Sequence, residues 1–193
     1  MGISSPTSDQ PSRHGAAPSQ RGALDADAFD ALFSECAGDV HGYLISLLGD
    51  SASAEDMTAL AFERLYRSRS RLDHGRGTPR AWLFAIARNA ALDELRRRRR
   101  SRAHDFADGV ASDHSAVDPL ADVERRAVLR DALASLPLRD RELVLLKFHG
   151  QLSNGELARA LAISESNVGT RLHRALAQLR ERCSETTRSE EVA

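Results

Sequence analysis

The chain has 193 residues, enough for one ordinary domain or two small ones. Hydrophobic residues make up 41% of it and aromatic residues 5%, so its core must consist mainly of Ala, Leu and Val, a composition that favours helices. The net charge of −1 excludes a uniformly basic or acidic protein, although all but one of its 27 Lys and Arg residues are arginines, which suit phosphates and guanine edges.

The charges are segregated along the chain. Residues 24–60 contain acidic residues and no Lys or Arg, whereas residues 61–102 are dominated by arginine. A polyanion responds to this local field, so the near-neutral net charge does not argue against nucleic-acid binding. The acidic residues of the first segment are Asp25, Asp27, Asp30, Glu35, Asp39, Asp50, Glu55 and Asp56.

Composition also restricts the compartment and the chemistry. Cys36 and Cys183 show no metal-ligand or redox spacing, so reduced thiols are expected, with Cys36 as a small core residue. No apolar run is long enough to span a membrane, and no signal peptide is recognisable. These features predict a cytoplasmic protein that needs neither a metal nor a cofactor.

Residues 1–24 are rich in Ser, Pro, Gly and Gln without periodicity, which predicts a disordered tail. A helix is predicted from Asp25 until Gly49 ends it, and Ser53 is predicted to cap a second helix. The apolar stripe of the first helix consists of Phe29, Leu32, Phe33, Cys36, Val40, Tyr43, Leu44 and Leu47. That of the second helix consists of Met57, Ala61, Phe62 and Leu65.

A basic loop over residues 68–78 leads to a third helix. Thr78 and Pro79 have the cap and first-position signature of a helix start, and this helix is predicted to run to about Arg100. Its inward residues are Trp82, Leu83, Ile86, Ala87 and Ala90. The three helices form an N-terminal domain over residues 25–102. Residues 103–121 are acidic and without periodicity, which predicts a flexible linker.

A C-terminal domain is predicted over residues 122–183, followed by a frayed tail over residues 184–193. One helix spans about 122–135. After Pro137 a second helix spans about 139–149, with Gly150 as its stop and with core candidates Leu143, Val144, Leu146 and Phe148. The fold class is therefore all-α, with two small helical domains joined by the linker.

The last part of this domain reads as a helix-turn-helix. Ser153 and Glu156 form a capping box, Leu152 and Leu157 a hydrophobic staple, and Ser164 caps the second helix. That helix turns an apolar stripe inward, made of Val168, Leu172, Ala175, Leu176 and Leu179. Its outer row suits a DNA major groove and consists of Ser166, Asn167, Thr170, Arg171, Arg174 and Gln178.

Three strings in order resemble the extracytoplasmic-function group of the sigma-70 family of RNA polymerase sigma factors. SASAEDMTALAFERLYRSRSRL resembles the helix that binds core polymerase, and TPRAWLFAIARNAALDELRRRRR the helix that melts the promoter. ALASLPLRDRELVLLKFHGQLSNGELARALAISESNVGTRLHRALAQLRE resembles the C-terminal domain throughout. The resemblance covers residues 25–183.

The resemblance implies a factor that directs core RNA polymerase to particular promoters, commonly under control of an anti-sigma factor and a stress signal. Core polymerase would bind Asp56, Met57, Leu60, Glu63 and Arg64. The minus-10 element would be engaged by Arg80, Trp82, Arg88, Asn89, Asp93, Arg96 and Arg97. The minus-35 element would be read by Ser164, Ser166, Asn167, Thr170, Arg171 and Arg174. The linker would thread into the polymerase near the template strand and the RNA exit path.

The residues of the third helix can also be weighed on their own chemistry. Opening a duplex requires side chains that hold unstacked bases beside a positive backbone track. Asn89 faces away from the apolar stripe and is the better candidate for a base contact, whereas the spacing of Trp82 favours a core role over stacking. The Arg96–Arg100 run is expected to clamp phosphates. The acidic first helix is equally compatible with a solvated face and with a surface that steers basic partners.

Four positions depart from the pattern of the resembling family. Ala59 and Leu60 replace a Gln-Glu pair, which alters the expected contact with polymerase. Gly169 replaces a Lys in the recognition helix, and Ala162 replaces a Gly in the turn. Gly169 removes one phosphate contact and costs about 1 kcal/mol of helix stability relative to Ala.

Three other functions compete with this interpretation. A repressor or activator would use the helix-turn-helix but would leave residues 54–100 without a purpose, and it would normally dimerise. An enzyme is not predicted, because no phosphate loop, metal-ligand spacing or nucleophile motif is present. A module that only sequesters a partner would bind polymerase without binding promoters.

Overall fold

The computed structural model describes residues 24–72, 77–104 and 120–190. The described residues form seven α-helices and one short 3-10 turn, and the prediction of an all-α protein is confirmed. The helices are α1 (Ala26–Leu48), α2 (Ser51–Ser68), α3 (Pro79–His104), α4 (Leu120–Ser135), α5 (Leu138–Phe148), α6 (Asn154–Leu161) and α7 (Glu165–Glu190). No described helix has the length and apolarity that crossing a membrane requires.

Helix α1 has the bounds that its sequence predicts. The side chain of Asp25 accepts a hydrogen bond from the backbone N–H of Ala28 at 2.8 Å, and Gly49 ends the helix in the left-handed region at φ 71°. Cys36 and Val40 are fully buried on its inner face. Phe33, which the periodicity places on the same stripe, is instead 49% exposed.

Helix α2 begins three residues earlier than predicted. Asp50, not Ser53, is its N-cap, and the Asp50 carboxylate accepts a hydrogen bond from the backbone N–H of Ser53 at 3.1 Å. The prediction of a Ser53 cap was wrong because the Ser53 N–H is itself one of the groups that the first turn leaves unpaired. The pKa of Asp50 lies below its ordinary value, first because of hydrogen bonding from the Ser53 side chain and then because of the bond from the Ser53 backbone N–H.

Helix α3 starts as predicted and extends four residues beyond Arg100. The Thr78 hydroxyl accepts a hydrogen bond from the Ala81 N–H at 3.1 Å, which caps the helix. Leu83 and Ala87 are fully buried as expected. The fully buried Phe84 was not among the predicted inward residues, and its ring lies edge-on to that of Tyr43 at 5.7 Å.

The basic loop and the linker fall partly outside the described residues. The loop contains a 3-10 turn at Arg69–Arg71, and residues 73–76 are outside the description. The linker prediction for residues 103–121 lies mostly on 105–119, which are also outside it. Its two ends belong to α3 and α4.

The C-terminal helices follow the predicted order with three corrections. Residues 184–190, predicted as part of a frayed tail, instead continue α7 to Glu190. Phe148 is 60% exposed rather than in the core, because it lies at the end of α5 where no other element covers it. Gly150 does not adopt the left-handed conformation of a helix stop, and the neighbouring Gln151 does, with φ 54°. Glycine is still required at 150, since a Cβ there would lie 2.4 Å from the Leu146 carbonyl oxygen.

The two groups of helices pack against each other. Helix α1 contacts α5, and α3 contacts α6. The buried apolar residues form one cluster that includes Tyr43 and Leu65 from the first group and Leu143 and Val168 from the second. This packing brings the N-terminal half of α3 and the end of α5 together, and it determines which predicted site residues are accessible.

Candidate nucleic-acid interface

Two capped helices define the helix-turn-helix. Ser153 and Glu156 form the predicted capping box, with the Glu156 carboxylate accepting from the Ser153 N–H at 3.0 Å. The turn holds Ala162 in the left-handed region at φ 54°. Ser164 then caps α7 by accepting from the Asn167 N–H at 3.2 Å. The caps fix the angle at which α7 leaves the turn.

The outer face of α7 is polar and exposed, as its sequence predicts. Ser164, Ser166, Asn167, Thr170 and Arg174 are all exposed, and so are Gln178 and His173. The inner stripe is buried at Val168, Ala175 and Leu179. The sequence places His173 among these DNA-facing residues, and its exposure agrees with that placement.

Arg171 differs from the other residues of this outer row. Its Nε and one terminal nitrogen donate to the same carboxylate oxygen of Asp140, at 2.9 and 2.7 Å. Its side chain is 22% exposed, against 29% for Asp140. The pair connects the recognition helix to α5, which the sequence did not indicate.

Helix α3 presents only some of its predicted contact residues. Asn89 and Asp93 are exposed, whereas Trp82 is half-buried against the core, as its spacing favours. Trp82 also lines a groove of about 230 Å³ between α3 and α6. Arg80 and Arg88 are largely covered, with side chains 16% and 20% exposed, because both are bound by residues outside their own helix.

The five-arginine run is not uniform. Arg96 pairs with Asp93 at 2.7 Å, and Arg97 pairs with the buried Glu94 at 2.7 Å. Arg98 is only 23% exposed and also bonds Glu94, so it faces the protein. The exposed side chains of this run are Arg96, Arg97, Arg99 and Arg100, and these form the positive edge of α3. Hydrogen bonds from Arg97, aided by those from Arg98, hold the pKa of Glu94 below its ordinary value despite burial.

The predicted polymerase-binding residues share one side of α2. Asp56, Glu63 and Arg64 are exposed, while Met57 and Leu60 are half-buried, with Met57 packed against the core. Glu63 forms an exposed ion pair with the residue one turn later, Arg67, at 2.8 Å.

An aromatic group at the far end of α2 was not predicted. The Phe33 and Phe62 ring centroids are 4.7 Å apart, and those of Phe29 and Tyr66 5.1 Å apart. The Arg69 guanidinium lies over the Tyr66 ring at 3.8 Å. The partial exposure of Phe33 and Tyr66, 49% and 44%, makes this an apolar surface beside the predicted polymerase contacts.

The acidic residues of the N-terminal segment have several distinct roles. Asp25 and Asp50 cap helices, Asp39 binds Arg80, and Glu55 accepts a hydrogen bond from the Ser51 hydroxyl. Asp27, Asp30, Glu35 and Asp56 are exposed, so the solvated face and the steering surface both stay predictions for these four residues.

Two family models match the chain in sequence order. Sigma-70 region 2 matches residues 32–101, and Sigma-70 region 4 matches residues 126–179, together more than half of the chain. The first match contains α2 and most of α3, and the second contains the helix-turn-helix.

Curated relatives match over most of their length. The chain is 36% identical over 156 residues to the RNA polymerase sigma factor CarQ of Myxococcus xanthus, covering 80% of this chain and 88% of that protein. It is 31% identical over 159 residues to the ECF RNA polymerase sigma factor SigL of Mycobacterium tuberculosis, covering 82% of this chain and 90% of that protein.

Solved structures have the same fold. The sigma factor RpoE in complex with the anti-sigma factor NepR, from Bartonella quintana, matches with a TM-score of 0.68 and 23% identity, covering 82% of this chain and 98% of that one. CnrH in complex with the cytosolic domain of CnrY matches with a TM-score of 0.58 and 25% identity, covering 81% of this chain and 88% of that one.

Proposed function

This chain belongs to the sigma-70 family, as a sigma factor of the extracytoplasmic-function group, and from that premise we propose how its residues divide the work. A sigma factor binds core RNA polymerase and directs it to start transcription at specific promoters. The observation that carries this function is the presence of both sigma regions, in order, in one chain. The family consists of transcription factors rather than enzymes, and we propose no catalytic activity for the chain itself.

We assign polymerase binding to α2. Asp56, Glu63 and Arg64 offer charged groups to solvent, and Met57 and Leu60 add partly exposed apolar surface between them. The aromatic surface at Phe33 and Tyr66 continues this contact area, so apolar burial replaces part of what the Ala59-Leu60 departure removes.

We assign minus-10 recognition and opening to α3. Asn89 is exposed and its amide can donate to and accept from a base edge. Asp93, Arg96 and Arg97 continue the same exposed side of the helix, with Trp82 partly exposed beside it. Arg80 and Arg88 can join this surface only after their present partners release them.

We assign minus-35 recognition to the start of α7. Ser164, Ser166, Asn167 and Thr170 lie near its N-terminus, where a recognition helix enters the groove and its dipole favours a phosphate. Arg174 is the exposed guanidinium of this surface, and Arg171 supports it from the side through Asp140.

We further propose that the chain is an alternative, stress-responsive sigma factor that acts in the cytoplasm and is controlled by an anti-sigma factor. The proposal of this control rests on RpoE, a sigma factor of the same fold that was solved in complex with the anti-sigma factor NepR. The domain boundaries we propose are residues 25–102 for region 2 and residues 122–183 for region 4, with the linker at 103–121.

Run-off transcription tests the proposed function. Purified core polymerase is incubated with fragmented DNA of the source genome, with and without the full chain. We expect discrete transcripts that require the chain, and their start points will identify the promoters. Specific DNA binding by the chain alone, without such transcripts, would replace this proposal with a repressor or activator. Core binding without promoter binding would make the chain a sequestering module.

A further inference from the structure

The first residue of the recognition helix is acidic. Glu165 begins α7 and is exposed, between Ser164 and Ser166, which the minus-35 assignment places against DNA. It is the only acidic residue over positions 164–178, where the other polar side chains are hydroxyls, amides, an imidazole and guanidiniums. A carboxylate repels the phosphates that such groups attract, so Glu165 cannot add to affinity for the DNA backbone.

The Glu165 carboxylate is not used within the described part of the chain. No hydrogen bond or ion pair joins it to another residue there. Two neighbouring carboxylates are engaged instead, Glu156 in the α6 capping box and Asp140 by Arg171. Both acceptor oxygens of Glu165 are thus available to a group outside the chain.

A glycine leaves room for this carboxylate at the joint of the helix-turn-helix. Gly155 lies in the first turn of α6, and a Cβ there would lie 3.1 Å from Oε1 of Glu165 and 3.6 Å from its Cδ. The Glu165 side chain therefore reaches back from the start of α7 to the start of α6. In a helix-turn-helix the first helix crosses the DNA backbone, and the second places its N-terminal residues on base edges in the major groove. Glu165 lies where these two contacts meet, at the entrance to the groove.

The major-groove edges of the four bases differ in how they receive a carboxylate. An ionised carboxylate only accepts hydrogen bonds, and cytosine presents its N4 amino group as a donor. Guanine presents two acceptors, and thymine presents an acceptor and a methyl group, so neither can pair with it. Adenine presents a donor next to an acceptor, which suits an amide side chain better than a carboxylate. Cytosine is therefore the base that a carboxylate at this entrance selects.

From this geometry, and resting on the proposed function, we infer that Glu165 is a specificity-determining residue for the minus-35 element. It selects a cytosine at the base pair that meets the start of α7. Its contribution is a penalty on the other three bases rather than added affinity, because it repels their acceptor atoms. Arg174 donates hydrogen bonds, so the two residues make opposite demands on the bases that they face.

Selection from a random DNA library tests the inference. The library is duplex DNA with a randomised segment long enough to hold both promoter elements, and the binding species is core polymerase with the full chain. Bound duplexes are separated and sequenced. At one position of the enriched minus-35 element, we expect the original chain to favour cytosine over each other base by about tenfold, which corresponds to about 1.4 kcal/mol.

Two substitutions at position 165 separate base selection from charge. Glu165→Gln should move the preference at that position from cytosine to adenine, with which the glutamine amide forms two hydrogen bonds. Glu165→Ala should leave the four bases about equal there. Both variants lose the same charge and the same interaction with the helix dipole, so neither loss can give them different base preferences. Preferences at the other positions should stay unchanged.

Glu181→Gln is the matched control. Glu181 is exposed on the same helix, about 24 Å further along its axis, and its substitution removes the same charge. This variant should keep the cytosine preference, and circular dichroism and the Tm should show that all variants fold.

Two results would overturn the inference and leave the proposed function intact. One is a minus-35 element enriched by the original chain without a cytosine. The other is a cytosine preference that persists in Glu165→Gln and Glu165→Ala, with affinity changed equally for all sequences. If the original chain with core polymerase enriches no sequence, the proposed function fails and the inference fails with it.

Discussion

Arg98 differs from the other arginines of its run because its guanidinium is engaged inside the protein. Besides Glu94 it bonds the Leu48 carbonyl at 3.2 Å and the Asp50 carboxylate at 3.0 Å. It thus satisfies one of the last carbonyls of α1 and holds the residue that caps α2. A single side chain fixes the corner between three helices.

Replacing Arg98 should therefore affect stability more than DNA binding. We expect Arg98→Ala to lower the free energy of unfolding by about 1–3 kcal/mol, the usual cost of losing hydrogen bonds to charged groups. Arg100→Ala, two residues later and exposed, should leave stability unchanged and weaken DNA binding. Urea denaturation and DNA titration of both variants check this, and equal stability of the two would contradict the role of Arg98.

Arg171 and Arg174 should likewise differ in role, with Arg171 contributing to stability and Arg174 to DNA binding. Arg174→Ala should weaken binding to a minus-35 duplex by about 1–3 kcal/mol without changing stability, as expected for an exposed contact residue. Arg171→Ala should lower stability by about 1–3 kcal/mol, because it leaves Asp140 without its ion pair.

A double-mutant cycle distinguishes the two roles. Arg171→Ala and Asp140→Ala should destabilise the chain less than additively, whereas Arg174→Ala combined with Asp140→Ala should be additive. Neither arginine variant should lose core polymerase binding. If Arg171→Ala were as stable as the original chain, Arg171 would be a free base contact, as its position in the sequence first indicated.

These residues show where local sequence stops being informative. The outward direction of Arg171 and Arg88 follows from helical spacing, but their partners, Asp140 and Glu142, are remote in sequence. Helical periodicity identifies a face and says nothing about what covers it. The capping Ser153 and Glu156 were predictable because both partners lie within one turn.

At the scale of the elements, α3 and α6 share a single carboxylate. One oxygen of Glu156 closes the α6 capping box, and the other accepts from the Thr78 hydroxyl at the start of α3. Burial would raise the pKa of Glu156, but the hydrogen bonds from Thr78 and Ser153 outweigh it and lower the pKa to about 2.

This lowered pKa predicts a loss of stability in acid. The contribution of Glu156 is fully present above the ordinary pKa of a glutamate and is lost as the pH falls towards about 2. A change from neutral pH to a pH of about 3 should therefore lower the Tm of the original chain more than that of Glu156→Gln. Thermal melting at the two pH values measures this difference. Glu165→Gln, an exposed change in the next helix, should behave like the original chain.

Element boundaries were predictable where a glycine or a cap defines them. Gly49, Thr78 and Ser164 end or begin helices as predicted. Asp50 and Ser53 are both good caps, and the choice between them depends on which backbone N–H groups the corner with α1 leaves unpaired. Phe148 was wrongly predicted to be a core residue. The apolar pattern indicates which face of α5 is buried, but it does not indicate where along the helix that burial ends.

At the scale of the whole molecule, the two predicted domains form one continuous apolar cluster. The arrangement of the two domains was not predictable, because the apolar periodicity within one domain carries no information about where the other domain packs. The packing between the two domains buries Glu142 and much of Arg88, and it places the His149 ring against Gly42. Charge and burial at this interface therefore contribute to the stability of the packing between the two domains.

The packing between the two domains should weaken in mild acid. Burial lowers the pKa of His149, and the nearby Asp39 only partly opposes this effect. This packing therefore favours the neutral ring, and it loses stability as the pH falls below the ordinary histidine pKa of about 6.5.

Small-angle X-ray scattering of the full chain, from neutral to mildly acidic pH, checks the prediction. The radius of gyration of the original chain should rise between neutral and mildly acidic pH, while His149→Asn, which cannot titrate, should stay constant. A rise of equal size in both proteins would assign the transition to another group.

The contacts of Arg88 and Arg80 with the C-terminal domain differ in whether a second mutation can compensate for the loss of the arginine. Arg88 binds a side chain, so a substitution at position 88 can be compensated by a second substitution at Glu142. Arg80 binds main-chain carbonyls at 149 and 150, which every residue type carries. A selection for second-site suppressors should thus recover Arg88 substitutions through position 142, whereas no new side chain at 149 or 150 can supply the guanidinium lost from position 80.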